Sequence, residues 1–314
     1  MAENQYMGAI NEEPEQMIAY YLQMHGRNIN PDLARELCPF YESDPSKFAA
    51  AIHEPSSRLA KMVYDHVLEV SDRTKDTTVF LAGGGGSGKG YMAKKLGITT
   101  ENSIGREVPA DGIIIYDAVM GKYASASARI DQALLAGLPA KLYYINTPAL
   151  QAFKNAIKRA QNIGRTVPMT VLAEAHAGAS AVIKQLYKEY DGKVEIAIVN
   201  NEGGEPKFGD ISSVPSYNTE ELLKQFQTEL ERQVNEGLDK NLADAFARTS
   251  FSRDLGEWSD EADDARIRSE ARRRLGQDGE ASRQGPSKSA GASVQKGNAP
   301  VTEETNPLLD YVKP

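Results

Sequence analysis

The sequence predicts an α/β fold built on a mostly parallel sheet, and three observations predict it. Short apolar runs at Val79–Ala82, Ile113–Tyr116, Leu142–Ile145 and Val194–Val199 have the length and composition of buried parallel strands. Segments with helical spacing lie between them, at about 123–136, 148–163 and 169–190. The first run ends in four glycines, and a helix starts near Gly88. Strand and helix in alternation imply right-handed crossovers, with helices on both faces of the sheet.

Taken in order, residues 1–75 read as an N-terminal helical module. Apolar residues recur three and four apart at Met17, Ile18, Tyr21 and Leu22, and again at Leu59, Met62, Val63, Val67 and Val70. Ser56 or Ser57 is a candidate cap for the second of these helices. Polar or proline-containing stretches at Arg27–Pro31 and Glu42–Pro45 separate the pieces, and no chemical motif stands out in the module. The core is expected over 76–212, with Gly97, Gly137 and Gly164 at helix C-termini and Thr147-Pro148 as a cap followed by proline in the first turn.

A C-terminal helix is expected within 213–250, as one element over 218–247 opened by Asn218 with Glu221 three residues on. Residues 251–314 read as a largely disordered tail. From Gly276 to Asn306 the sizeable aliphatics are Val294 and Val301, too little apolar surface to offset the entropy of ordering. Pro307–Val312 ends the tail with an apolar plug, which suits a docking peptide and a frayed end equally.

Composition narrows the function classes. The chain has 314 residues, 40% apolar and 25% charged, which suits one ordinary core with appendages. No run approaches the roughly 20 apolar residues of a spanning helix, and Met1–Glu15 is polar and acidic, so the expectation is a cytoplasmic protein without a membrane partner. A net charge of −8 argues against nucleic acid as a partner, with Arg266–Arg274 as a local basic exception. Cys38 is the single cysteine, which excludes an internal disulfide and reads as a small buried hydrophobe.

The chemistry centres on Gly83-Gly84-Gly85-Gly86-Ser87-Gly88-Lys89-Gly90. A strand before it and a helix after it turn a glycine pattern into a phosphate-binding loop. Such a loop must curl so that successive backbone N–H groups face phosphate oxygens, and the helix that follows adds its positive end. Lys89 then reaches the outer phosphates as a point charge. Gly90 stands where serine or threonine usually offers a hydroxyl to Mg2+, but that cation can be held largely by phosphates, water and one carboxylate.

Asp117 follows the strand at Ile113–Tyr116, at the carboxyl end where α/β folds place ligands. There it can hold Mg2+ or accept a substrate proton, or simply cap the next helix. Arg159 and Arg165 flank a helix end, where they can close over a triphosphate or merely complement the helix dipole. His176 lies mid-helix and reads as a packed side chain more readily than as a catalyst. Asn200-Asn201, placed after the last strand, can touch a base or ribose or form a turn.

Together these residues resemble the zeta-toxin family of phosphate-loop kinases over about 76–201, most closely the zeta-like domains of phage and mobile-element proteins. Ala82–Lys89, Tyr116-Asp117, Leu142–Pro148 with Lys158-Arg159, and Gly164-Arg165-Thr166-Val167-Pro168 leading to His176 carry the resemblance. It implies ATP and Mg2+ as cofactors, transfer of a phosphoryl group to the sugar of UDP-N-acetylglucosamine or a related nucleotide-sugar acceptor, and a protein partner in the form of an antitoxin. Gly90, Ala118-Val119 after Asp117, and the short segment between Gly97 and Gly112 depart from the pattern. Two rivals stay open: a catalytically weak or inactive nucleotide-binding interaction protein whose tail docks a partner, and an NTPase without an acceptor.

Overall fold

The computed structural model describes residues 2–43, 48, 51–99, 112–248 and 261–281. Among them, six strands form one sheet: β1 (Asn28–Ile29), β2 (Thr77–Ala82), β3 (Ile113–Asp117), β4 (Ala140–Asn146), β5 (Glu195–Glu202) and β6 (Glu205–Gly209). Their order is β1-β3-β2-β4-β5-β6, parallel throughout except for β6, which returns antiparallel against β5. The four predicted strands are present. Asn200 and Asn201 lie inside β5 rather than after it, because the chain turns later, at Gly203 and Gly204, both with positive φ. β6 carries no apolar alternation and went unread for that reason.

Strand residues alternate between two cores, as a period of two requires. Phe80, Ala82, Ile114, Tyr116, Leu142 and Tyr144 face a large cluster shared with the helices His53–Val70, Tyr123–Leu135 and Met169–Glu189. Val79, Leu81, Ile115, Tyr143, Ile145 and Val199 face the other side with Met92 and Ala93 of the helix Lys89–Lys95. Each such side chain contributes about 1.5–3 kcal/mol when fully buried, so a one-residue slip of any central strand is strongly disfavoured. After β2 the chain adds β3 on one side and β4 on the other, so the sheet order reverses at the carboxyl end of β2. Open α/β sheets bind ligands at such a point.

The N-terminal module is helical, as predicted, but it also supplies a strand. Asn28 and Ile29 pair with Ile115 and Tyr116 of β3, a contact too short to leave a periodic signal. Ser56 and Ser57 are not caps: both are buried inside the helix His53–Val70, and Ser56 Oγ donates to the Ile52 carbonyl. Cys38 is fully buried and free, as expected of a small hydrophobe.

The helix expected over 218–247 is two, Thr219–Asn235 and Lys240–Ala247. Asn218 opens the first, accepting from the Glu220 and Glu221 amides. Gly237, at φ 102°, breaks the run, and Asp239 caps the second by accepting from Asn241 and Leu242. Phe153, Phe226 and Phe246 lock this pair against the helix Ala149–Ile163, with the first two rings stacked 4.4 Å apart.

By its contacts the chain divides into Met1–Gly276 and Gln277–Pro314. Within the tail expected to be disordered, Glu261–Ala281 is a helix. Asp264, Ile267 and Ala271 on one of its faces are buried, and Asp264 pairs with Arg129. The remaining tail residues, including the Pro307–Val312 plug, lie outside the described residues. Among the described residues, no helix is long and apolar enough to cross a membrane.

Candidate active site

The glycine loop sits at the switch point. Gly83, Gly86 and Gly88 have φ of 138°, 80° and 84°, so three of its residues occupy backbone space that L side chains rarely adopt. Two glycines are also required by close approach. At Gly84 a β-carbon would stand 2.5 Å from the His176 ring, and at Gly86 it would strike the Ala152 carbonyl.

The loop's own lysine and three side chains from other parts of the chain hold its carbonyls. Lys89 Nζ donates to Gly83 (3.1 Å), Asn155 Nδ2 to Gly86 (3.0 Å), and Thr147 Oγ1 and Asn201 Nδ2 to Ser87 (2.7 and 2.9 Å). Among the described residues, the amides of Gly86, Gly88 and Lys89 meet no acceptor. Carbonyls tied back and amides left over make a cradle for an anion. Thr147 was expected to cap the helix Ala149–Ile163. It tethers Ser87 instead, and Pro148 takes the cap position without a side-chain bond.

His176 is a fifth tether. It is 3% exposed, and its Nε2 lies 3.0 Å from the Gly85 carbonyl, which can only accept, so Nε2 carries the proton. Burial, with a smaller push from Lys89, lowers its pKa to about 4 against the Gly85 bond. A lowered folded pKa means that the unfolded chain binds more protons between pH 4 and 6.5, so this contribution is complete above pH 6.5 and lost as pH falls toward 4. The expected loss is about 3 kcal/mol at pH 4 relative to neutrality. Urea midpoints of wild type and His176→Gln between pH 7.5 and 4.5 check it, and parallel curves would refute it.

Asp117 ends β3 beside the loop lysine. Its Oδ1 lies 3.7 Å from Lys89 Nζ, and its Oδ2 accepts from Asn30 Nδ2 at 3.0 Å. Burial raises its pKa, Lys89 and Asn30 oppose that, and Asp32 adds to it. Oδ1 is buried and accepts no hydrogen bond among the described residues. Such an acceptor suits a cation. No group of three His, Cys, Asp or Glu gathers as a metal cage among the described residues, so the donor set here is one carboxylate, the fit expected of Mg2+ held mainly by phosphates and water. A β-carbon at Gly90 would meet nothing within 4 Å, so sterics do not account for the missing hydroxyl.

Arg159 and Arg165 come together with Arg35, which sequence reading missed. Asp32 is their shared counter-ion, 2.6 Å from Arg165 Nη2 and 3.1 Å from Arg35 Nη1. Burial would raise the Asp32 carboxyl, but Arg165, Arg35 and Arg159 hold it well below the usual range. Arg159 makes no direct ion pair among the described residues, and burial followed by its neighbour Arg165 lowers its pKa. For Arg165, burial works against the charge, and Asp32, Tyr41 and Glu36 together outweigh it and raise the pKa. Three guanidiniums share this one carboxylate, and Asp32 in turn lies close enough to Asp117 to raise its pKa. Asn30 reads in sequence only as part of the polar break Arg27–Pro31 and Asp32 carries no signal, since their partners lie far along the chain.

A family model described as Zeta toxin matches residues 112–212, which include Asp117, Arg159 and Arg165 and follow the glycine loop. Of the resemblance expected over about 76–201, the match covers 112–201, and the glycine loop lies ahead of it. No curated protein matches the chain. Among solved structures, the AvrRxo1-ORF1:AvrRxo1-ORF2 complex with sulphate ions is similar at 13% identity and TM-score 0.36, covering 70% of this chain and 86% of that one. The native AvrRxo1-ORF1:-ORF2 complex gives 14% identity and TM-score 0.34 over 78% and 86%.

Proposed function

We propose that this chain is an ATP-dependent phosphotransferase of the zeta-toxin kind, acting on a hydroxyl of a small nucleotide-sugar acceptor such as UDP-N-acetylglucosamine. The observation that carries the reading is that Lys89 faces Asp117 beside a loop with amides to spare, while Asn30 and Asp32 link Asp117 to the arginines. Loop amides and Lys89 hold the β- and γ-phosphates. Asp117 takes the proton of the acceptor hydroxyl as its oxygen bonds to the γ-phosphorus and the bond to the ADP oxygen breaks. Arg159 and Arg165 offset the charge that spreads over the transferring group. Bound Mg2+ would neutralise phosphate charge; where Asp117 Oδ1 faces that cation instead, the acceptor proton leaves to water or to a phosphate oxygen.

Gly90 favours a second reading, a nucleotide-binding interaction protein with weak or no turnover, which docks an antitoxin-like partner through the tail at 276–314. The deciding experiment incubates the protein with ATP, Mg2+ and a metabolite mixture containing UDP-sugars, and seeks by mass spectrometry a species that gains a phosphate. Arg159→Ala and Arg165→Ala should retain ATP affinity and lose about a hundredfold in transfer, because their contribution is confined to the transition state. ADP formed without any acceptor would point to an NTPase. Nucleotide binding without any product would leave the binder.

A further inference from the structure

The helical module ahead of the glycine loop offers no motif in sequence, yet it places one residue against the proposed reaction centre. Asn30 Nδ2 donates to Asp117 Oδ2 at 3.0 Å, while its Oδ1 accepts from the Asp32 amide at 2.7 Å and so caps the helix Pro31–Glu36. The backbone that carries it is fixed three ways. Ile29 pairs with Tyr116, which brings the next residue, Asn30, level with Asp117. The fully buried Tyr21 donates its hydroxyl to the Asn28 carbonyl and accepts from the Asn30 amide at 2.9 Å. Pro31 then sets the first turn of the helix.

A cap alone needs only the side-chain oxygen. The second bond uses the amide's donor and occupies one carboxylate oxygen, which leaves Oδ1 as the atom without a hydrogen-bond partner, 3.7 Å from Lys89 Nζ. We propose that Asn30 is a positioning residue for Asp117, which makes the N-terminal module a working part of the site. The proposal rests on the phosphotransferase reading. Outer groups that orient a carboxylate in this way typically change metal affinity or activity by about 10–100-fold when removed.

Asn30→Ser separates the two roles, because serine caps a helix about as well as asparagine but has no amide donor and a shorter reach. Asn30→Asp is the second variant: it keeps size and cap and sets a carboxylate against Asp117. Both are made in the full chain and checked by thermal melting. Calorimetry measures ATP affinity with and without Mg2+, and steady-state kinetics measures turnover. The expected result is an unchanged affinity for metal-free ATP, a Mg2+-dependent tightening reduced about tenfold or more, and kcat reduced similarly with little change in the KM for ATP. A wild-type Mg2+ response and kcat in Asn30→Ser would overturn the proposal while leaving the phosphotransferase reading intact. So would an equal loss of metal-free ATP affinity, which a merely structural role produces. Failure of the wild type itself to bind ATP would overturn both.

Discussion

Lys89→Ala is expected to reduce phosphoryl transfer by on the order of a thousandfold, because it removes the loop's one side-chain cation from a preorganised anion site. In the ligand-free protein this ammonium is stored rather than free, bound to the Gly83 carbonyl and facing Asp117 Oδ1. An incoming triphosphate gives it a stronger partner, so affinity for ATP should also fall steeply. The fold should survive, since Asp117 already has a raised pKa and can take up a proton when its cation is lost. Lys89→Arg tests shape as well as charge: a planar fork does not replace a point charge in a loop this tight. Equal calorimetric affinities for wild type and Lys89→Ala would refute the phosphate-loop assignment.

The second large effect is structural. Asp264→Ala is expected to cost about 3–5 kcal/mol, because breaking one partner of a buried ion pair leaves the other charged and unsolvated. Arg129 Nη2 lies 2.9 Å from Asp264 Oδ1, with side-chain exposures of 2% and 1%. Burial works against the Arg129 charge, and Tyr116, Asp264 and Asp65 together outweigh it. Lys61 meets the neighbouring Asp263 at 2.5 Å, and Arg268 covers the Tyr123 ring, so the helix Glu261–Ala281 is fastened along its first turns. Urea unfolding measures the loss, and proteolysis near 261–275 should accelerate with it. The double variant Arg129→Met with Asp264→Leu should recover much of the stability, since an apolar pair of similar volume often matches a buried ion pair. A shift below about 0.5 kcal/mol in Asp264→Ala, the range of ordinary surface substitutions, would exclude a buried charge there.

What the sequence determined by itself is local. Apolar runs of strand length, helical spacing between them and glycines at Gly83–Gly88 are properties of neighbouring residues, and they sufficed for the four inner strands, the loop and the place of Asp117 at a strand end. The glycines were legible because backbone curvature leaves few alternatives. The capping start at Asn218 reads as opening one helix over 218–247, and the break at Gly237 with the Asp239 cap decided for two.

Only the tertiary structure decided which charges share a space. Arg27–Pro31 reads as a polar break, Arg129 falls without a signal inside the helical segment 123–136, and 251–314 reads as a largely disordered tail, because no local pattern names a distant partner. Their pairing arises when the sheet brings β1 beside β3 and when the helix His53–Val70 and the helix Tyr123–Leu135 form a surface for a third. Excluding water from Arg129 and Asp264, and gathering Arg35, Arg159 and Arg165 around Asp32, are consequences of packing between distant segments, and the strength of such interactions depends on burial, which no local pattern records.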